Sequence, residues 1–341
     1  YLNYLKMNTE DDIIPKEILK NRSGWIDSIF GHVRTDEWDN FYENLPTKLS
    51  RKFHNNIKFS KLLKKLYKIH CEIIGPFHVL PDFLILGSGA CGTTSMLELY
   101  LRSHKDILPS KINEIMYFNH KHTNSVNWYK SLFPSIIIKK FRTMCGKKTL
   151  TCEASGNYIL DPYAPKRIKK IIPNVKFIVM LRNPTDRTLS QYKRRIRNKR
   201  EKRSIEEVFE YELNNFEKEF GDYIKNEESV SFYPFTSYLA DSRYFQQIDH
   251  WFEYFPKEQF LFINSNEYFR NPLQEYNRIL KFLDLPSHYP KIKGKRGISP
   301  PGLFDNIIIK SETLDFLNNY FSLWNKKLFN LIGIKFNWED N

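Results

Sequence analysis

Cysteine is scarce, acidic residues are outnumbered by basic ones, and long apolar runs are missing. The four cysteines, Cys71, Cys91, Cys145 and Cys152, are scattered through 341 residues. They form no C-x-x-C pair and share no ligand spacing with histidine, which argues against a zinc site and against a disulfide framework. Reduced thiols and a cytoplasmic setting are the simpler expectation. No apolar stretch reaches membrane-crossing length, so no transmembrane segment is expected in this chain. The chain opens on Tyr1 rather than Met, which leaves an upstream signal or anchor open. Internal repeats are absent, and no low-complexity linker follows residue 80, so a single domain from that point is the economical reading.

Core-forming material, in contrast, is plentiful. Hydrophobic residues make up 41% of the chain and aromatic residues 16%, which excludes disorder as the default. The net charge of +14 favours an anionic ligand or partner. An abundance of lysine explains it equally well, so charge alone identifies nothing. Residues 1–78 read as an N-terminal helical extension. Within it, 51–70 places Phe53, Ile57, Leu62, Leu63 and Leu66 at helical spacing between lysines. Such a basic amphipathic helix packs its apolar face on the domain, or touches a membrane or acidic partner.

The character changes at Pro81. The run 83–86 (FLIL) suits a buried strand, as do 175–181 (VKFIVML) and 259–263 (QFLFI), with 136–138 (III) a weaker candidate. A helical stretch follows the first of them from Thr94 to Leu101, and another begins near Asp186. Helical patterns also occupy about 205–220, 241–254, 272–283 and 312–331. Strands alternating with helices predict an α/β domain with a parallel sheet covered on both faces.

Between the first strand and its helix lies Gly87–Ser95, GSGACGTTS. A helix N-terminus with free N–H groups binds anions, and Gly87, Gly89 and Gly92 let backbone wrap closely around an oxyanion. Gly89, Ala90, Cys91, Gly92, Thr93, Thr94 and Ser95 are therefore candidate ligand-binding residues, with the two threonines adding hydroxyls. A nucleoside-triphosphate loop would continue with lysine, and Thr93 stands in that place. After the strand 175–181 comes LRNPTDRTLSQY, where Arg182 at the strand end and Ser190 in the next helix can together grip one phosphate, or Arg182 can pair with a carboxylate.

In these motifs the chain resembles the sulfotransferases that use 3′-phosphoadenosine 5′-phosphosulfate (PAPS). The likeness is to the heparan-sulfate-type group and its bacterial relatives, over about residues 81–336. It is carried by GSGACGTTS, LRNPTDRTLSQY, INEIMYFN (112–119), CEASGNYIL (152–160), the stretch from Tyr244 through Trp251, Phe255 and Pro256 to Gln259, and FLDLP (282–286). The resemblance implies a three-layer P-loop-like fold with a central, mainly parallel sheet flanked by helices, occupying 79–341. It implies that the first loop takes the 5′-phosphosulfate, that Arg182 and Ser190 hold the 3′-phosphate, and that Glu114 is the general base. Lys295 and Arg296, in GKRG (294–297), match a late basic loop that closes over the 3′-phosphate. PAPS would be the donor substrate and adenosine 3′,5′-bisphosphate the product, with no metal required. The acceptor would be a hydroxyl or amine on a small molecule or a saccharide, and no nucleic-acid partner is implied.

Two departures stand out. The family's loop lysine corresponds to Ala90, and the lysine of its E-K-S-P segment corresponds to Ala154. Both place positive charge near the sulfuryl group. Lys111, three residues before Glu114, is a candidate substitute, with Lys139, Lys140 and Arg142 weaker ones. The basic run 193–203 (KRRIRNKREKR) suits an acidic acceptor or a solvated face. The paired cysteines of the animal Golgi enzymes have no counterpart, which favours a cytosolic relative. Two other readings are a P-loop-type phosphoryl transferase and a catalytically inactive, polyanion-binding relative.

Overall fold

The run Phe83–Leu86 becomes strand β1, fully buried along its length. Four more strands join it: β2 (Ile107–Pro109), β3 (Leu150–Ala154), β4 (Lys176–Leu181) and β5 (Phe260–Asn264). Their order is β2-β3-β1-β4-β5, and every neighbouring pair is parallel. The computed structural model describes residues 57–119, 124–225, 237–290, 307 and 309–338. Lys295 and Arg296 fall outside the described residues, as does 51–56.

Apolar residues run without alternation along β1 and β4 because both faces of the sheet are covered. Leu84, Leu86, Phe177, Val179 and Leu181 enter one core with Trp251 and Phe255. Phe83, Ile85, Ile178 and Met180 enter the other with Met96, Leu97, Tyr276 and Ile279. Each such side chain contributes about 1.5–3 kcal/mol when fully buried.

The described helices, in chain order, begin with α1 (Ile57–Ile74) and α2 (Thr93–Ser95). From α2 the chain widens into a π turn at Met96–Tyr100 and tightens at Leu101–Ser103, so the predicted helix from Thr94 to Leu101 changes pitch along its length. Then come α3 (Val126–Ser131), α4 (Ile136–Met144), α5 (Ala164–Ile171), α6 (Pro184–Arg197) and α7 (Ile205–Lys225). The last are α8 (Tyr244–Phe252), α9 (Ser265–Arg270), α10 (Pro272–Phe282) and α11 (Ser311–Ile332). A third core, with Tyr192, Phe209, Leu239 and Phe321, ties α6, α7 and α11 together.

Residues 136–138 are not a strand. Ser135 caps a helix there, its hydroxyl accepting from the Ile138 amide at 3.3 Å, and Ile137 and Ile138 face solvent. Local capping and two ion pairs, Lys139 to Asp82 and Arg142 to Asp106, outweigh the β preference of three isoleucines. On α1, Leu66 and Ile69 are exposed; the side chains of Ile57, Leu62 and Leu63 lie outside the described residues.

From β1 the chain runs to the edge strand β2, returns through β3, and crosses to β4 on the far side of β1. The carboxyl ends of β1, β3 and β4 therefore lie side by side at a switch in connection direction, where crevices form in such sheets.

Candidate active site

The turn after β1 is built to expose backbone. Gly87 (φ 154°) brings its carbonyl against Gly156, where a Cβ would sit 2.4 Å from that oxygen. The Gly87 amide donates back to the Gly156 carbonyl at 3.2 Å, fastening the ends of β1 and β3. Ala90 (φ 76°) and Gly92 (φ 90°) both take left-handed conformations, uncommon for alanine. The amides of Gly89, Ala90, Gly92, Thr93 and Thr94 donate to no backbone carbonyl among the described residues. The Ser88 hydroxyl is buried with no partner. A loop of unused donors at a helix start fits an oxyanion.

Opposite the loop stands α6. Asn183 starts it, its side-chain oxygen accepting from the Thr185 amide at 2.9 Å while Pro184 fixes the first turn. One stripe of this helix faces the loop. Arg187 is buried and donates through Nε to the Gly89 carbonyl at 3.2 Å and through Nη2 to Asp241 at 3.1 Å. Its Nη1 reaches the Tyr238 carbonyl at 2.9 Å. Burial pushes the Asp241 carboxyl up to about 7, although Arg187 pulls it down. Two turns further on, Arg194 donates to the Gln191 side chain. At the end of β4, Arg182 donates to the Ala90 carbonyl at 3.3 Å and lies 5.7 Å over the Phe269 ring. Its Nε is buried and unpartnered.

A strained turn supplies the third wall. Glu114 (φ 51°) and Met116 (φ 52°) are both left-handed. Their amides are held by β3: Glu114 donates to the Ala154 carbonyl at 3.2 Å and Met116 to the Ser155 hydroxyl at 3.0 Å. Ser155 in turn donates to Glu153 at 3.2 Å, a fully buried carboxylate that also accepts from Tyr129 at 2.7 Å and Tyr158 at 2.9 Å. Burial pushes Glu153 up to about 7, against the pull of these hydrogen bonds. Glu114 is exposed, and its charge favours the charged form of Arg194.

The arrangement can hold a compact anion at the β1 turn, a second one near Arg182, and a carboxylate beside the first. A family model described as a sulfotransferase domain matches residues 80–308. The chain belongs to the sulfotransferase family. Its relatives include a membrane-associated sulfotransferase of Dictyostelium discoideum, 26% identical across 78% of this chain and 68% of that protein. A human heparan sulfate glucosamine 3-O-sulfotransferase 6 is 25% identical across 76% of this chain and 73% of its own length. A bifunctional heparan sulfate N-deacetylase/N-sulfotransferase of Caenorhabditis briggsae is 28% identical, but the match spans only 23% of it. Among solved structures, a sulfotransferase from Alicyclobacillus acidocaldarius superposes with a TM-score of 0.55 at 24% identity, covering 76% of this chain and 99% of that one. That likeness bears on the fold, which is the P-loop-like α/β architecture the motifs predict.

Within this sulfotransferase domain the predicted residues divide. Gly89, Ala90, Gly92, Thr93 and Thr94 line the loop, with Arg182 against it and Ser190 half-buried on α6. Cys91 and Ser95 do not present side chains. The Cys91 thiol is buried 3.8 Å from the Tyr244 hydroxyl, and Ser95 bonds the Gly92 carbonyl and Tyr268. Burial also pushes the Cys91 thiol upward, which keeps it inert. Lys111 is exposed, anchored by its amide to the Leu132 carbonyl at 2.9 Å. Lys139 and Arg142 pair with Asp82 and Asp106, just before β1 and β2, so they serve the amino-terminal ends of the strands, opposite the loop. Lys140 is exposed on the same helix. Sequence reasoning overlooked Ser88, Arg187, Arg194 and Glu153. The helical period from Arg187 through Ser190 to Arg194 was the available signal, hidden because 193–203 reads as an undivided block of charge.

Proposed function

We propose that the protein transfers a sulfuryl group from PAPS to a hydroxyl or amine of a saccharide or small-molecule acceptor. The observation that carries this reading is the convergence, at adjoining strand ends, of unpartnered Ser88 Oγ, unpartnered Arg182 Nε and a turn of unused amides. Buried polar atoms without partners are costly, and a bound anion at each would satisfy them. Thr93 and the loop amides would hold the 5′ end of the donor. Arg182 and Ser190 would hold the 3′-phosphate. The donor supplies an already activated sulfuryl group on a phosphate leaving group. Glu114 would accept the proton of the acceptor O–H or N–H as that atom attacks sulfur. The names of the heparan sulfate relatives favour a saccharide acceptor.

The test is transfer of label from PAPS carrying radioactive sulfur to desulfated heparan-type polysaccharide and to a panel of small alcohols and amines. The wild type labels at least one acceptor. Glu114→Gln loses about 10²–10⁴-fold in kcat while binding adenosine 3′,5′-bisphosphate as the wild type does. Equal turnover by the Gln variant would remove Glu114 from the mechanism.

A further inference from the structure

The two lysines that this chain lacks, at Ala90 and Ala154, leave the transferred group without a cation from either family position. We infer that Arg194 supplies that charge, reaching the loop from α6 rather than from the loop itself. This rests on the sulfotransferase reading above and names the residue that completes its site. A Cβ added to Gly89 would lie 3.0 Å from Arg194 Nη2 and 3.2 Å from Gln191 Oε1, so the guanidinium rests on the loop backbone. Gln191 is buried and accepts a hydrogen bond from Arg194, which aims the guanidinium at that spot. Arg194 follows Ser190 by one helical turn and Arg187 by two, so all three project from the same stripe.

The electrostatics agree with the geometry. Loss of water lowers the Arg194 pKa and Arg187 adds to this, while Glu114 opposes it. Arginine stays protonated through such a shift. Arg194 thus carries its charge between the anion loop and the carboxylate proposed as base. Arg187 is spoken for by Gly89 and Asp241, and Lys139 by Asp82.

In the reaction, the bond from the acceptor atom to sulfur forms as the bond from sulfur to the 5′-phosphate oxygen breaks. The acceptor proton goes to Glu114, and the electron pair goes to the departing phosphate oxygen. Arg194, donating to that oxygen, would stabilise the charge where it develops. A guanidinium carries five N–H donors, so Arg194 can keep its bond to Gln191 and still donate to the oxyanion.

The experiment measures binding by calorimetry of adenosine 3′,5′-bisphosphate and of adenosine 3′-monophosphate. Their ratio of dissociation constants isolates the 5′-phosphate. In the wild type the bisphosphate binds more tightly. In Arg194→Ala that advantage falls by about ten- to a hundredfold, the worth of a charge-assisted hydrogen bond. Arg194→Lys keeps most of it, and Arg182→Ala keeps it while weakening both ligands through the 3′-phosphate. Arg194 belongs to none of the three apolar cores, so the Ala variant folds, which its thermal transition checks. An advantage unchanged in Arg194→Ala overturns the assignment. A wild type that binds neither nucleotide overturns the sulfotransferase reading itself, and with it this one.

Discussion

Gly156 shows how tightly the loop is fitted. Its missing side chain leaves room for the Gly87 carbonyl, only 2.4 Å from where a Cβ would stand. Backbone cannot swing aside as a flexible side chain can. Gly156→Ala is therefore expected to lower stability by about 1–3 kcal/mol, the usual cost of overpacking, and to weaken nucleotide binding by tilting the loop. Urea unfolding and calorimetry check both effects; unchanged stability with unchanged binding would contradict the close fit. At this scale the legibility of the sequence was uneven. Residues acting through backbone, such as Gly89 and Gly92, were readable because glycine spacing advertises a turn. Arg182 and Ser190 could be singled out because one ends a strand and the other follows in the next helix. The orientation of Cys91 and Ser95 was not readable, since it depends on Tyr244 and Tyr268, far away in sequence. Arg187 and Arg194 were visible letters without an assigned direction until the helix phase was known.

Strand β3 and the turn at Glu114 form the next level. The strand carries Thr151 and Glu153 into the interior, where each is fully hydrogen-bonded, and so it lacks the apolar signature that marks β1 and β4. That is why β3 is legible only as a motif, and why β2, three residues ending in Pro109, has no pattern at all. Segment 136–138 erred in the other direction, because β propensity is overridden by capping at Ser135. Glu153 has a measurable consequence. Its carboxyl is raised from an ordinary 4.5 to about 7 by burial, so the folded protein holds this proton more tightly than the unfolded chain. The stabilisation is fully present below pH 4.5 and is lost as pH rises through about 7. The slope approaches about 1.4 kcal/mol per pH unit in that window. Glu153→Gln removes the titration while its amide oxygen still accepts from Tyr129 and Tyr158. The variant is thus expected to gain stability relative to wild type between pH 5 and pH 8, read as the difference in Tm. A difference that stays constant across this range would mean that Glu153 titrates alike in both states.

For the whole molecule, the parallel order β2-β3-β1-β4-β5 decides where chemistry can sit. It brings three carboxyl strand ends together, while Lys139 and Arg142 pair at the amino ends. The alternation of apolar runs with helical patterns made this architecture readable, because a sheet covered on both faces leaves continuous hydrophobic strands. The net charge of +14 fits an anionic donor but is spread over the whole chain, and only the fold selects which cations face the loop. Arg187, Arg182 and Arg194 do so from two elements.

The central claim is that this crevice is a site for a 3′-phosphorylated adenosine nucleotide. A thermal-shift titration with adenosine 3′,5′-bisphosphate, with ADP and ATP as controls, tests it most directly. At 100 times its dissociation constant the ligand should stabilise the fold by about 2.7 kcal/mol. The account predicts a shift selective for the bisphosphate and greatly reduced in Arg182→Ala. No shift, or a shift with ATP alone, would contradict it.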